Sequence, residues 1–336
     1  MRTGLVLGGG GLVGMAYHAG ALKALDEAGL DLPAADLMIG TSAGSILSSY
    51  MRCGWSADDF YDYAHGRHPD VQKDPERPQD QMRRIFTPLW NTNVERARRL
   101  IGSGFAMAAS RGYLRRAGTP GRGLRSAFPA GMYSTEETRR RFHEDLPQEW
   151  PDRDLYICAV DLYSGELVPF GHRDAPGAPL PDAVLASTSI PGVFPPVRIG
   201  DRRYVDGGAK SATSLNLATQ EGCTHVICVA PLGFRTDGPA TTRDPKMWGP
   251  MFVRSLFARA LKREVTDARN LGVHVLVVRP WVTDLKTHGT NSMRHFDRAA
   301  LSDQAREGTA RLLEEMAGHP ALEEWPRKRQ RARAAR

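Results

Sequence analysis

No apolar run in this 336-residue chain reaches the roughly 18 residues that a membrane-spanning helix needs. The N-terminus only imitates a secretory leader. Arg2 precedes an apolar, Gly-rich stretch and Ala19-Gly20-Ala21 mimics a cleavage site, but four consecutive glycines break the stretch. It reads better as strand, loop and amphipathic helix, so a cytoplasmic location is the default expectation. Cysteine is scarce: Cys53, Cys158, Cys223 and Cys228 form no C-x-x-C pair. Cys158 and Cys228 fall in strand-like runs, which predicts buried thiols in a reducing compartment rather than a disulfide framework. No H-E-x-x-H, Cys/His cluster or calcium-loop pattern occurs, so neither a metal nor a cofactor is expected. Internal repeats and low-complexity linkers are also missing.

Acid is absent from two stretches. Residues 96–125 hold eight arginines (Arg96, Arg98, Arg99, Arg111, Arg115, Arg116, Arg122, Arg125) and no Asp or Glu. The last ten residues, 327–336, carry six basic residues and no acid, and without them the net charge of +7 falls to about +1. Such blocks point to a polyanion, either membrane phosphates or nucleic acid, with a solvated tail and face as the plain alternative.

What is present is a strand–helix alternation that predicts an α/β protein: three layers, α/β/α, around a central, mostly parallel sheet. Strands are expected at 3–7, 36–39, 154–160, 165–170, 224–230 and 273–278, with Tyr163-Ser164-Gly165 turning a hairpin. Helices are expected at 14–28, 43–53, Trp55 to His65 behind Ser56, 97–108, 247–269 and 301–317. A capping box at Ser134-Thr135-Glu136-Glu137 predicts a helix to about Leu146. Residues 66–95 are Pro-rich and polar and match no element. The organisation expected is one domain over 1–320, with about 66–130 as an insertion or lid-like segment, then the basic tail.

Three glycine turns carry the chemistry. Gly40-Thr41-Ser42-Ala43-Gly44, between a strand and a helix, is the nucleophile-elbow pattern, in which small flanking residues let an exposed serine occupy a strained turn. The competing reading of Ser42 is an ordinary helix N-cap. Gly9-Gly10-Gly11-Leu12-Val13-Gly14 matches G-x-G-x-x-G after a strand. A dinucleotide fold would need an acid at the end of the second strand, and Asp36 lies at its start. The same amides could instead stabilise an oxyanion formed at Ser42. Asp206-Gly207-Gly208 after a short strand could supply a carboxylate base, or be only an Asp-Gly turn.

Taken together, the three motifs resemble those of the patatin-like phospholipase family. That family carries a G-G-G-x-[basic]-G loop, a G-x-S-x-G elbow and a D-G-[GA] motif in this order. Ser187-Thr188-Ser189-Ile190-Pro191-Gly192-Val193-Phe194-Pro195-Pro196 is similar to its segment leading into the aspartate strand. The resemblance covers roughly residues 3–280. It implies lipid acyl-ester hydrolysis by a Ser42–Asp206 dyad, with Gly9, Gly10 and Gly11 amides forming the oxyanion hole and Gly14 needed for close helix packing. Gly40 and Gly44 would shape the elbow, and Gly207 and Gly208 the aspartate turn. The chain departs from the family at Val13, where a basic residue is usual.

A lipid or ester substrate is therefore expected, with peripheral contact to an anionic membrane surface and nucleic acid disfavoured. Arginines in 96–125 would meet phosphates while Leu100, Ile101 and Phe105 meet acyl chains; an ordinary core-facing helix is the alternative. Three other readings stay open. A Ser–His–Asp enzyme could use one of His172, His225, His274, His288 or His295. A silent homologue could bind lipid or another polyanion, and a nucleotide-binding oxidoreductase could use the glycine loop.

Overall fold

The computed structural model describes residues 1–73, 84–112, 128–235, 248–281 and 297–328. Arg115, Arg116, Arg122, Arg125, His288, His295 and the tail beyond Lys328 lie outside these residues.

Strand β1 (Thr3–Leu7) is buried along its whole length and sits at the centre of the parallel part of the sheet. β2 (Leu37–Thr41) pairs with it in parallel on one side and β7 (His225–Val229) on the other. β3 (Asp154–Asp161) lies parallel to β2, and β8 (His274–Val278) parallel to β7. The expected hairpin forms: β3 pairs antiparallel with β4 (Leu167–Phe170). The edge beyond β3 is antiparallel too, with β6 (Arg202–Asp206) on β3 and β5 (Val197–Ile199) on β6. The sheet is therefore mixed, with a parallel centre.

Two cores follow from the period-two alternation of these strands. Leu5, Leu7, Met38, Ile157, Ile227 and Val229 pack into one, and Val6, Leu37, Ile39, Cys158, Val226 and Cys228 into the other. Helices α1 (Gly11–Glu27), α2 (Ala43–Arg52), α3 (Ala57–Ala64), α6 (Glu136–Asp145), α7 (Leu180–Thr188) and α10 (Arg298–Glu315) contribute to the first. Helices α8 (Leu215–Gln220) and α9 (Trp248–Asn270) cover the second. Helices α4 (Pro69–Lys73) and α5 (Asn93–Ser110) lie between α3 and α6 in the chain, and α11 (Pro320–Glu323) closes it. The arrangement is the three-layer α/β/α sandwich that the alternation predicts.

Two helix starts differ from expectation. Helix α5 starts at Asn93 rather than 97, because Thr92 and Glu95 form a reciprocal capping box. The box expected at Ser134–Glu137 does not form. Thr135 caps α6 without a side-chain bond, and Ser134 Oγ accepts from the Glu136 amide instead.

Register brings the motifs together. Leu7 pairs with Gly40, so the glycine loop after β1 and the serine turn after β2 emerge at the same carboxyl edge. Thr41 pairs with Cys158, and the next residue of β3, Ala159, pairs with Asp206. Ser42 and Asp206 thus leave the sheet side by side across β3.

Candidate active site

Ser42 sits between β2 and α2 at φ 54°, ψ −121°, one of two non-glycine residues among those described with positive φ. That region disfavours a residue with a Cβ and persists only where the surroundings enforce it. The enforcement is visible. The Ser42 amide donates to Ser187 Oγ at 3.0 Å, and Ser187 Oγ donates to the Cys158 carbonyl at 2.7 Å. The Ser42 carbonyl accepts from the Ser45 hydroxyl at 2.6 Å. Although Ser42 stands at the N-cap of α2, its side chain makes no capping bond. The plain reading of Ser42 as a helix cap therefore fails, and its hydroxyl is available to another partner.

Asp206 is the carboxylate that responds to it: the Ser42 side chain pulls the Asp206 pKa down, and the carboxylate accepts from the Gly208 amide at 2.7 Å. Asp206 is only 4% exposed. Burial pushes its carboxyl up from 3.8 to about 6, against the opposing pull of the Ser42 and Gly208 hydrogen bonds. The Asp206 amide donates to the Ser189 carbonyl at 3.0 Å, so the Ser187–Ser189 segment grips both motifs. Gly207 passes so near β3 that an added Cβ would lie 2.5 Å from the Cys158 carbonyl oxygen. Gly208 would place its Cβ 3.0 Å from Asp206 Oδ1.

The glycine loop lies against the serine: a Cβ on Gly9 would sit 3.3 Å from Ser42 Cβ. The Gly9 amide is already used, donating to the Ala212 carbonyl at 2.7 Å, and the Gly8 amide donates to the Val229 carbonyl at 2.9 Å. Gly10 and Gly11 open α1, where the first amides of a helix have no intrahelical acceptor. Two helix N-termini, those of α1 and α2, therefore meet at Ser42 and favour negative charge there. Glycine is required at position 10, where a Cβ would fall 2.6 Å from Gly14 Cα. It is not required for packing at Gly14, as the resemblance implied. A Cβ there meets Ala43 and Pro231 at 3.6 Å, an ordinary contact. Val13 is 2% exposed and belongs to the main core, so it presents no group to the loop's ligand side.

Three supports had no local signal in the sequence. His18 is buried under the loop with Nε2 2.7 Å from the Gly8 carbonyl, and burial lowers its pKa to about 4. It is thus neutral near pH 7, donating from Nε2. Glu264 on α9 accepts from Ser211 Oγ and Thr213 Oγ1, each at 2.6 Å, and from the Leu215 amide at 3.3 Å. It clamps the loop whose Ala212 carbonyl holds Gly9. Ser214 in that loop, at φ 55°, places its hydroxyl 3.3 Å from Thr41 Oγ1 beside the elbow.

Ser42 opens into a cavity of about 490 Å³, within the usual range for small-molecule sites of roughly 300–1,000 Å³. Near Ser42 and Gly11 its walls are apolar, from Met15, Ile46 and Leu47 to Trp55 and Phe60. Charged residues of α6, including Glu137, Arg140 and Glu144, line another part. No histidine lines it among the described residues. His172 pairs instead with Glu221, and His225 with Glu324, away from the serine. The histidine-triad reading finds no support there. Asp36 is likewise committed, accepting from the Thr3 amide and hydroxyl at the opposite end of the sheet. The loop therefore lacks the ribose anchor of a dinucleotide site. Among the described residues no group of three His, Cys, Asp or Glu could hold a metal, and no helix is long and apolar enough to cross a membrane. Cys158 and Cys228 are buried, as expected; Cys223 is buried too, and Cys53 is exposed.

The model of the patatin-like phospholipase family matches residues 5–219, from β1 through α8. Curated relatives include uncharacterized NTE family proteins of Mycobacterium tuberculosis (strain CDC 1551 / Oshkosh) and Mycobacterium bovis (strain ATCC BAA-935 / AF2122/97). Both are 28% identical over 67% of this chain. The chain spans only 30% of their length. Among solved structures, VipD from Legionella pneumophila is 16% identical over 94% of this chain and 67% of its own, with a TM-score of 0.43. The ExoU–SpcU complex of Pseudomonas aeruginosa matches at 21% identity over 97% of this chain and 53% of that one, with a TM-score of 0.38.

Proposed function

The chain belongs to the patatin-like phospholipase family, and from that premise we propose that it is a serine acyl-ester hydrolase acting on lipids through Ser42 and Asp206. The observation that carries this reading is a strained serine whose hydroxyl caps no helix, beside the buried Asp206 carboxylate and opening into a cavity with an apolar wall. In this account residues 1–320 act as one hydrolase unit.

The reaction proceeds in two halves. Ser42 Oγ attacks the ester carbonyl carbon while Asp206 takes the hydroxyl proton. The carbonyl oxygen becomes an oxyanion, held by the Gly10 and Gly11 amides and the positive end of α1. Collapse breaks the bond to the leaving alkoxide, which receives the proton from Asp206 and departs as the alcohol. A water then gives its proton to Asp206 and attacks the acyl-serine carbonyl. The second collapse releases the fatty acid, and the proton on Asp206 returns to Ser42. Because burial raises its pKa, Asp206 is a stronger base than an exposed carboxylate while still ionised above about pH 6. The apolar wall suits an acyl chain.

Hydrolysis of a short p-nitrophenyl ester and of lysophosphatidylcholine tests the proposal. The unmodified protein is expected to turn over both, and Ser42→Ala to abolish both. Equal rates in Ser42→Ala, or no turnover of any acyl ester by the folded protein, would contradict it.

A further inference from the structure

Helix α5 is apolar on the side that faces outward. Val94, Leu100, Ile101, Phe105 and Met107 are between 37% and 69% exposed. They make up five of the nine large hydrophobic residues exposed among those described. At about 100° per residue they fall on one side of the helix together with Ala97, Gly104 and Ala108. The opposite side is fully occupied. Gly102, Ser103, Ala106, Ala109 and Ser110 are buried there. Ser103 Oγ accepts from the Gly131 amide and Arg99 Nη1 donates to the Gly131 carbonyl, both at 3.0 Å. A Cβ on Gly102 would lie 2.2 Å from the Phe128 carbonyl oxygen. The helix is thus seated on the protein by its small and polar face, and its large apolar side chains point away.

The same spacing puts Arg96 and Arg98 on the two borders of the apolar strip. The one acid of the helix, Glu95, is turned back into its capping box. Arg111 follows at the C-cap, and residues 96–125 contain no acid at all. An apolar strip edged by cations matches the boundary between acidic headgroups and acyl chains. A second copy of the chain fits it less well, since a two-fold contact between such strips would bring their arginine borders together. The strip also adjoins the cavity. A Cβ on Gly192 would meet Met107 Cε at 3.4 Å and Ser103 Cβ at 3.9 Å. Ile190 and Phe194, on either side of Gly192, line the cavity.

We propose that the outward face of α5 docks on an anionic lipid surface, with Leu100, Ile101 and Phe105 entering the acyl boundary and Arg96 and Arg98 meeting phosphates. The 190–194 segment then stands beside the lipid from which the cavity draws its substrate. That consequence rests on the hydrolase reading, whereas the docking itself does not.

The test is co-sedimentation of Ser42→Ala protein, which separates binding from turnover, with phosphatidylcholine vesicles and with vesicles also containing phosphatidylglycerol. The expected result is binding to the anionic vesicles that weakens with added salt. Leu100→Ser/Phe105→Ser should reduce the partition coefficient on the order of a hundredfold, the transfer cost of two large side chains. The same pair in the otherwise native protein should leave turnover of the short soluble ester unchanged. Leu100→Trp supplies a readout free of folding concerns, since the position is exposed: the fluorescence it adds should shift to the blue on anionic vesicles. Failure to bind, equal binding by the double variant, or an unshifted signal from the Leu100→Trp protein would overturn the proposal. So would a solution dimer that the double variant dissolves. Vesicle binding as expected alongside an inert Ser42 would sink the hydrolase reading and leave the docking intact.

Discussion

Gly44 lies against the carbonyl of Leu7: a Cβ added at Gly44 would fall 1.9 Å from that oxygen. The contact joins the first turn of α2 to the end of β1, and it fixes how closely the serine turn approaches the glycine loop. Gly40 is equally constrained, with a Cβ landing 2.5 Å from Ser45 Cα.

Glycine positions should therefore separate into two classes. Gly44→Ala and Gly10→Ala force backbone apart, and overpacking of this kind costs about 1–3 kcal/mol or more, so both should lose stability and ester turnover. Gly14→Ala should keep turnover and gain roughly 0.5–1 kcal/mol from helix propensity. Thermal unfolding and short-ester kinetics of the three variants measure this. A Gly14→Ala protein as damaged as Gly44→Ala would show that Gly14 is as tightly packed as Gly44.

Asp206 couples activity and stability in opposite directions. Its folded pKa of about 6 stands above the ordinary 3.8, so ionisation opposes folding. The stability of the neutral carboxyl is fully present below about pH 3.8 and is lost as pH rises through about 6. Activity, which needs the ionised base, should rise through the same window. Asp206→Asn should be inactive yet more stable than the unmodified protein at pH 8, by up to about 3 kcal/mol, with the gain vanishing at pH 3.5. Denaturant unfolding at the two pH values reads this directly. A gain that does not depend on pH would contradict the assignment.

Much of this was legible in the sequence, and the reasons for the rest are physical. β1, β2, β7 and β8 are continuous apolar runs, the mark of strands buried on both faces. Ser42 announces itself because its positive-φ backbone needs a glycine-flanked turn, and Asp206 because Gly207 after it must pass close to the Cys158 carbonyl. The antiparallel edge of β5 and β6 is short and half polar, so its pairing carries no comparable signal. The start of α5 was readable at Thr92 and Glu95, four residues before the apolar periodicity begins. Ser134 and Glu137 show the converse, a capping spacing that the backbone does not use. His18 and Glu264 act on partners 10 and at least 49 residues away, and no local pattern marks such contacts.

Glu264 offers a test of that distant support. Removing its carboxylate frees Ser211 and Thr213 and loosens the loop that holds the Gly9 amide. Glu264→Ala should lower kcat for a soluble ester, by up to about a hundredfold, with KM little changed. Glu264→Gln, which keeps one acceptor oxygen, should recover part of the loss. Unaltered kcat in a folded Glu264→Ala protein would show that the loop is held without it.

The central claim is that Ser42 is an activated nucleophile. Treatment with a fluorophosphonate followed by peptide mass mapping checks this, because the reagent bonds preferentially to a serine whose proton a neighbouring base removes. One adduct is expected, on Ser42, absent in Ser42→Ala and strongly slowed in Asp206→Ala. A folded protein that takes no label, or one labelled elsewhere at a rate indifferent to Asp206, would contradict it.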